Sequence, residues 1–164
     1  MNSSSQEKRK YPRYDTKVKI YFHVNYDIET KVEYQVVDQE KQKILPQKYS
    51  ALSRNVSAEG LCFTSDQQLQ PGTLLYLEVY VPKAQEPVYM NGEVRWSTLS
   101  SVKSKGTKKF DTGVRLMMVN GIPVANSIYF DEKHGVVWSV VLDSILGNFR
   151  ILAHQDRATP KKKT

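Results

Sequence analysis

The 164-residue chain is 40% hydrophobic and 10% aromatic, which suits one domain with its own core rather than a disordered protein. The single cysteine, Cys62, excludes an intrachain disulfide and a multi-cysteine zinc site. The formal net charge of +7 points to an anionic partner.

Taken in order, residues 1–8 are polar, Ser-rich and without periodicity, and are expected to form a disordered tail. They contain no apolar run, so no signal peptide is expected. The next residues, Arg9-Lys10-Tyr11-Pro12-Arg13, are basic, and Pro12 disfavours a helix, so an extended or flexible arm is expected over 9–16. From Lys17, the residues Val18, Ile20, Phe22, Val24 and Tyr26 alternate with more polar ones and predict a half-buried strand. Val32, Tyr34 and Val36 continue the alternation and are read as a bend or an extra hairpin, with a polar loop over 38–46. The segment 28–46 has no assigned role.

Further strands are predicted over 48–56 and 60–65, then through Leu75, Leu77, Val79 and Val81 after the turn Gln70-Pro71-Gly72-Thr73. Val88, Met90, Gly92, Val94 and Trp96 alternate in a fifth main strand. Phe110, Thr112, Val114, Leu116 and Met118 alternate in a sixth, beyond a Ser/Lys/Gly-rich loop. After the break at 120–123 the period changes. Val137, Trp138, Val141, Leu142, Ile145, Leu146 and Phe149 share one helical face, which predicts a helix over 136–150. The longest apolar stretch, 135–142, is far short of the ~20 residues that cross a bilayer, so no membrane span and a cytoplasmic location are expected. Residues 153–164 form a basic tail, expected to be solvated and disordered. Antiparallel strands with short turns and one amphipathic helix predict a mostly β, closed or nearly closed barrel over 17–118, in a single domain over 9–152.

Two motifs carry chemistry. Arg9 and Arg13 form Arg-x-x-x-Arg, a weak signal by itself. Asn55-Val56-Ser57-Ala58-Glu59-Gly60 forms Asn-x-Ser-x-x-Gly, and the two together in this order are much more specific. In a strand, Asn55 and Ser57 point to the same side. Gly60 is expected to turn the chain at no cost in a positive-φ conformation.

With these motifs the chain resembles the PilZ domain, a bacterial module that binds cyclic di-GMP. The resemblance implies a six-stranded antiparallel β-barrel with a C-terminal α-helix. It implies cyclic di-GMP bound by Arg9, Arg13, Asn55, Ser57 and Gly60, with the N-terminal arm wrapping over the ligand and signalling to a downstream protein partner. Arginine donates paired hydrogen bonds to phosphate or to guanine O6 and N7, which lysine cannot reproduce, so Lys8 and Lys10 are weaker candidates.

Trp96 occupies an alternating core position and is read as core, although by the resemblance it also matches a position near the ligand. Arg95 and Arg115 point away from the apolar faces and either line the ligand surface or are solvated. Cys62 is expected to be a buried, inert thiol. His23, His134 and His154 are scattered, without metal-ligand or catalytic spacing, and no nucleophile or paired carboxylates stand out. A non-enzymatic receptor without metal or cofactor is therefore expected. Two alternatives remain: a basic barrel binding single-stranded nucleic acid, the less favoured partner, and a PilZ-like interaction module that binds no nucleotide.

Overall fold

The computed structural model describes residues 24–82, 84–101 and 106–147. Its elements in chain order begin with β1 (Tyr26–Asp27), β2 (Lys31–Asp38), β3 (Lys43–Ile44), β4 (Tyr49–Val56) and β5 (Gly60–Ser65). They continue with β6 (Leu74–Tyr80), β7 (Val88–Leu99), β8 (Phe110–Val119), β9 (Ile122–Pro123), β10 (Tyr129–Asp131) and β11 (Val136–Trp138). A helix, α1, occupies residues 140–147.

β2 pairs antiparallel with β6 along one edge and with β4 along the other. The path β2-β4-β5-β8-β7-β6 therefore returns on itself as a closed six-stranded antiparallel barrel. Closure removes the open edges at which sheets otherwise associate. Alternate residues fill the interior: Val32 and Tyr34 of β2, Phe63 of β5, Leu75, Leu77 and Val79 of β6, Met90 of β7. Each such side chain contributes ~1.5–3 kcal/mol by leaving water. Tyr34 and Phe63 pack with their rings tilted by 31° and centroids 5.0 Å apart, and the Tyr34 phenol is satisfied by Ser65 Oγ at 3.1 Å.

The expectation of six barrel strands holds, but not the identity of the first. The residues read as a bend or extra hairpin form β2, a full barrel strand that buries Val32 and Tyr34. Two neighbouring segments alternate equally well in sequence, and only pairing with both β4 and β6 selects the second. The predicted strand over 17–26 is described from Val24 only, and its described part pairs as Tyr26↔Val56 and Asp27↔Asn55 at the end of β4. The loop expected over 38–46 is a hairpin whose returning arm, β3, adds to β2.

Ser53, fully buried, holds the crossing from β1 to β2. Its hydroxyl donates to the Ile28 carbonyl at 2.7 Å and accepts from the Thr30 amide at 2.9 Å.

The helix starts later than its apolar period predicts. Residues 136–138, two valines and a tryptophan, pair with β10 as β11. The turn between them uses Gly135 at φ 67. Ser139 then caps α1: its carbonyl accepts from the Asp143 amide at 3.0 Å and its Oγ accepts from the Val141 amide at 3.1 Å. Val137, Trp138, Val141, Leu142 and Ile145 are nonetheless all buried against the barrel. Lys8, Arg9, Lys10, Arg13, the predicted tails over 1–8 and 153–164 and the end of the predicted helix lie outside the described residues.

Candidate ligand site

Register slips in two strands shape the outside of the barrel. On β4, Ser53 pairs with Phe63 and Asn55 with Cys62, which leaves Arg54 as an extra, outward residue. On β7, Val94 pairs with Val114 and Trp96 with Gly113, which leaves Arg95 extra. An inserted residue shifts the two-residue alternation by one. Beyond Arg95, therefore, the side chain that simple alternation sends to the core faces out. Trp96 is 44% exposed, which corrects its reading as a core residue.

The slips bring four residues into a row across neighbouring strands: Asn55 on β4, Cys62 on β5, Gly113 on β8 and Trp96 on β7. A second row follows, with Gly60 opposite Arg115 and Arg115 opposite Glu93. The middle of the surface is floored by small residues, Gly60, Cys62 and Gly113, between larger flanks. The result is a cavity of about 550 Å³ lined by Asn25, Asn55, Ser57, Glu59, Gly60, Leu61, Cys62, Arg95, Trp96, Gly113, Val114 and Arg115. That volume falls within the ~300–1,000 Å³ usual for small-molecule sites.

Asn55, Ser57, Gly60, Arg95, Trp96 and Arg115, six of the candidates expected from sequence, are thus brought together. Asn25, Glu59, Cys62 and Gly113 were not foreseen. Asn25 and Glu59 carried no spacing signal, and Gly113 could be found only through its cross-strand partner.

The turn at the motif is held by its own groups. The Ser57 amide donates to the Gly60 carbonyl at 2.9 Å, and the Gly60 amide donates to Ser57 Oγ at 3.1 Å. The Leu116 amide donates to the Glu59 carbonyl at 2.8 Å, tying the turn to β8. Gly60 is required for a reason other than the expected one. Positive φ occurs at Gly72, Gly106, Gly121 and Gly135 but not at Gly60. Instead, a Cβ there would approach the Val114 carbonyl oxygen to 2.9 Å, so the glycine permits close approach of β5 to β8. At Gly113 a Cβ would overlap the indole of Trp96, so the ring lies directly on the glycine.

Cys62 is half-buried and outward-facing rather than in the core. Burial, reinforced by the Asp111 carboxylate and opposed by Arg54, pushes its thiol up to about 11. Arg95 Nη1 lies 4.0 Å from Glu93 Oε1. Arg115 makes no ion pair among the described residues. No three His, Cys, Asp or Glu side chains cluster as a metal site among the described residues. No helix among them is long and apolar enough to cross a membrane.

Fold and surface together define a small closed β-barrel with a polar, arginine-flanked cavity on its outer wall. The PilZ domain family model matches residues 7–120, and the chain belongs to that family of cyclic di-GMP receptors. The matched segment includes Arg9 and Arg13 as well as the whole cavity. Solved structures that align with it include two of low sequence identity. One is the Bacillus subtilis inhibitor of motility MotI/DgrA, at 17% identity and TM-score 0.48, over 90% of this chain and 58% of that one. This chain thus spans just over half the length of MotI/DgrA. The other is the PilZ domain of YcgR from Escherichia coli with c-di-GMP, at 12% identity and TM-score 0.46, over 85% of this chain and 97% of that one. Comparison with curated proteins finds no match.

Proposed function

We propose that this chain is a non-enzymatic receptor that binds cyclic di-GMP on the outer wall formed by β4, β5, β8 and β7. The observation that carries this reading is the convergence of Asn55, Ser57, Gly60, Arg95, Trp96 and Arg115 on one cavity in a PilZ-family chain.

The ligand carries two phosphates and two guanines. Arg115 and Arg95 offer planar guanidinium forks to phosphate oxygens or to guanine O6 and N7. The exposed face of Trp96 offers a stacking surface, worth ~1–3 kcal/mol per stacked base. The Asn55 amide can both donate and accept at a guanine edge, and Ser57 adds a hydroxyl. Glu59 is the one carboxylate in the lining, and it accepts from the guanine N1 and N2 donors. Arg9 and Arg13 close over the ligand from the N-terminal side, with Lys8 and Lys10 adding only point charge. The closed arm then presents a new surface to a downstream protein partner. This reading calls for neither metal nor cofactor.

Calorimetric titration with cyclic di-GMP tests it. Wild type is expected to bind, and Arg9→Ala or Arg13→Ala is expected to lose about tenfold in affinity, equivalent to ~1.4 kcal/mol. Absence of heat at tens of micromolar ligand rejects the receptor reading. Wild-type affinity in both variants rejects the closing arm.

A further inference from the structure

The family match ends at residue 120, yet a residue beyond it bonds to the turn that borders the candidate site. Ser139 is fully buried. Its Oγ donates to the carbonyl of Ala58 at 2.6 Å, across 81 positions of sequence. Ala58 lies inside the Asn55-x-Ser57-x-x-Gly60 turn, next to Ser57, and is itself buried. The same Oγ accepts from the Val141 amide as the cap of α1. One hydroxyl thus uses its only proton on the ligand-site turn and a lone pair on the helix.

A cap alone needs only an acceptor, which Asp or Asn supplies as well. The bond to Ala58 needs a donor, and a hydroxyl provides both in the smallest volume. A second tie runs in parallel. Trp138 meets Tyr26 edge-on at 5.9 Å, and Tyr26 pairs with Val56 at the start of the same turn.

We infer that Ser139 is a positioning residue of the ligand site: its buried hydroxyl fixes the Ala58 carbonyl, and through it the Ser57–Gly60 turn, and couples that turn to α1. The inference rests on the cyclic di-GMP reading for its ligand arm, but its structural arm stands without ligand. Coupling of this kind is reciprocal, so a ligand that tightens the turn also tightens the helix start.

Amide hydrogen exchange and calorimetry on the full chain test it, with Ser139→Ala, Ser139→Thr and Ile145→Ala. Ile145 is buried on α1 and takes no part in the Ser139–Ala58 hydrogen bond, so its truncation loosens the helix and leaves that bond in place. Rates are read relative to the core amide of Leu77, which removes the contribution of global unfolding. In ligand-free protein, Ser139→Ala is expected to speed exchange at Ser57 and Gly60 by about tenfold, the scale of a lost buried hydrogen bond. Ser139→Thr, which keeps the hydroxyl, restores slow exchange, and Ile145→Ala leaves these two amides unchanged.

With cyclic di-GMP added, wild type is expected to gain protection at Val141 and Leu142, and Ser139→Ala to lose that gain together with about fivefold in affinity. If Ser139→Ala behaves like Ile145→Ala at Ser57 and Gly60, the inference is overturned and Ser139 is a cap only. If wild type binds no cyclic di-GMP, the receptor reading fails, and the exchange rates of the ligand-free proteins still decide the role of Ser139.

Discussion

The barrel presents two polar outer faces that treat charge in opposite ways. On β2 and β6, Glu33 and Glu78 stand directly opposite each other, an arrangement that is repulsive by itself. The face neutralises them internally: Lys48 Nζ lies 4.0 Å from Glu33 and 3.6 Å from Glu78, and the Tyr80 hydroxyl lies 3.1 Å and 2.9 Å from the same two carboxylates. On β4, β5, β8 and β7 Arg95 lies 4.0 Å from Glu93, but the pairing stops short of Arg115. Arg115 has no ion pair among the described residues, and the floor beside it is made of small residues. A face whose charges satisfy one another supports the fold. A face with an unspent cation above a shallow trough can recruit an anion.

The largest expected effect comes from reversing one charge on each face. Arg115→Glu should weaken cyclic di-GMP binding about hundredfold or more, since it removes a charge-assisted contact and sets a carboxylate against phosphate. Its Tm should scarcely move. Lys48→Glu should leave affinity unchanged and crowd three carboxylates together, at a cost of about 1 kcal/mol or ~2–4 °C in Tm by scanning calorimetry. If each variant shifts both readouts alike, the contrast between the faces is wrong.

Next in size is Gly113→Ala. Its methyl cannot coexist with the Trp96 indole as placed, so the ring must leave the floor. About tenfold in affinity should go with it, and the tryptophan emission should shift to the red as Trp96 moves into water. Trp138, buried under α1, supplies an unchanged background. Wild-type affinity in this variant would show that the indole is no platform for the ligand.

How much of this was legible in the sequence depended on whether the signal was periodic. β4, β5, β6, β7 and β8 were each visible because alternation of apolar and polar residues is a local property. The motif was visible because Asn55, Ser57 and Gly60 lie within six positions. The inserted Arg95 left no such trace, since a slipped register shows only against the partner strand, and so the direction of Trp96 was misread. Gly60 was singled out for a positive-φ conformation it does not adopt, whereas the Val114 carbonyl that crowds it is visible only in the fold. The tie from Ser139 to Ala58 had no sequence signature, because it spends a backbone carbonyl and any residue at position 58 supplies one.

Cys62 gives a smaller, graded test of the cavity floor. A thiol pushed up to about 11 by burial holds far less thiolate at pH 8 than an ordinary cysteine near ~8.5. Alkylation by iodoacetamide at pH 8 should therefore run roughly hundredfold slower than that of a free thiol and accelerate as pH approaches 11. Bound cyclic di-GMP should slow it further by covering the floor. Alkylation at the rate of a free thiol would mean that the floor is open rather than half-buried.

The smallest effects belong to the self-paired face, and their signs differ at the two ends of the pH scale. Hydrogen bonding from Tyr80 holds the Glu33 carboxyl below the usual glutamate range, with Lys31 and Lys48 assisting and burial opposing. A lowered carboxyl contributes stability above its ordinary value of ~4.3, and that stability is lost as pH falls through the folded-state value. Tyr80 runs the other way. Its hydrogen bond to Glu78, with burial and Glu33 adding, raises the phenol well above its ordinary range. Its contribution is complete below ~10 and is lost as pH climbs toward the folded-state value. One hydroxyl therefore anchors both limbs of the profile, and Tyr80→Phe should flatten Tm against pH at the acid and the alkaline end together. Because the other face shares none of these groups, cyclic di-GMP affinity at pH 7 should stay at the wild-type value. A Tyr80→Phe variant that keeps both limbs would place the titrating groups elsewhere, and one that loses affinity would show that the two faces communicate through the barrel wall.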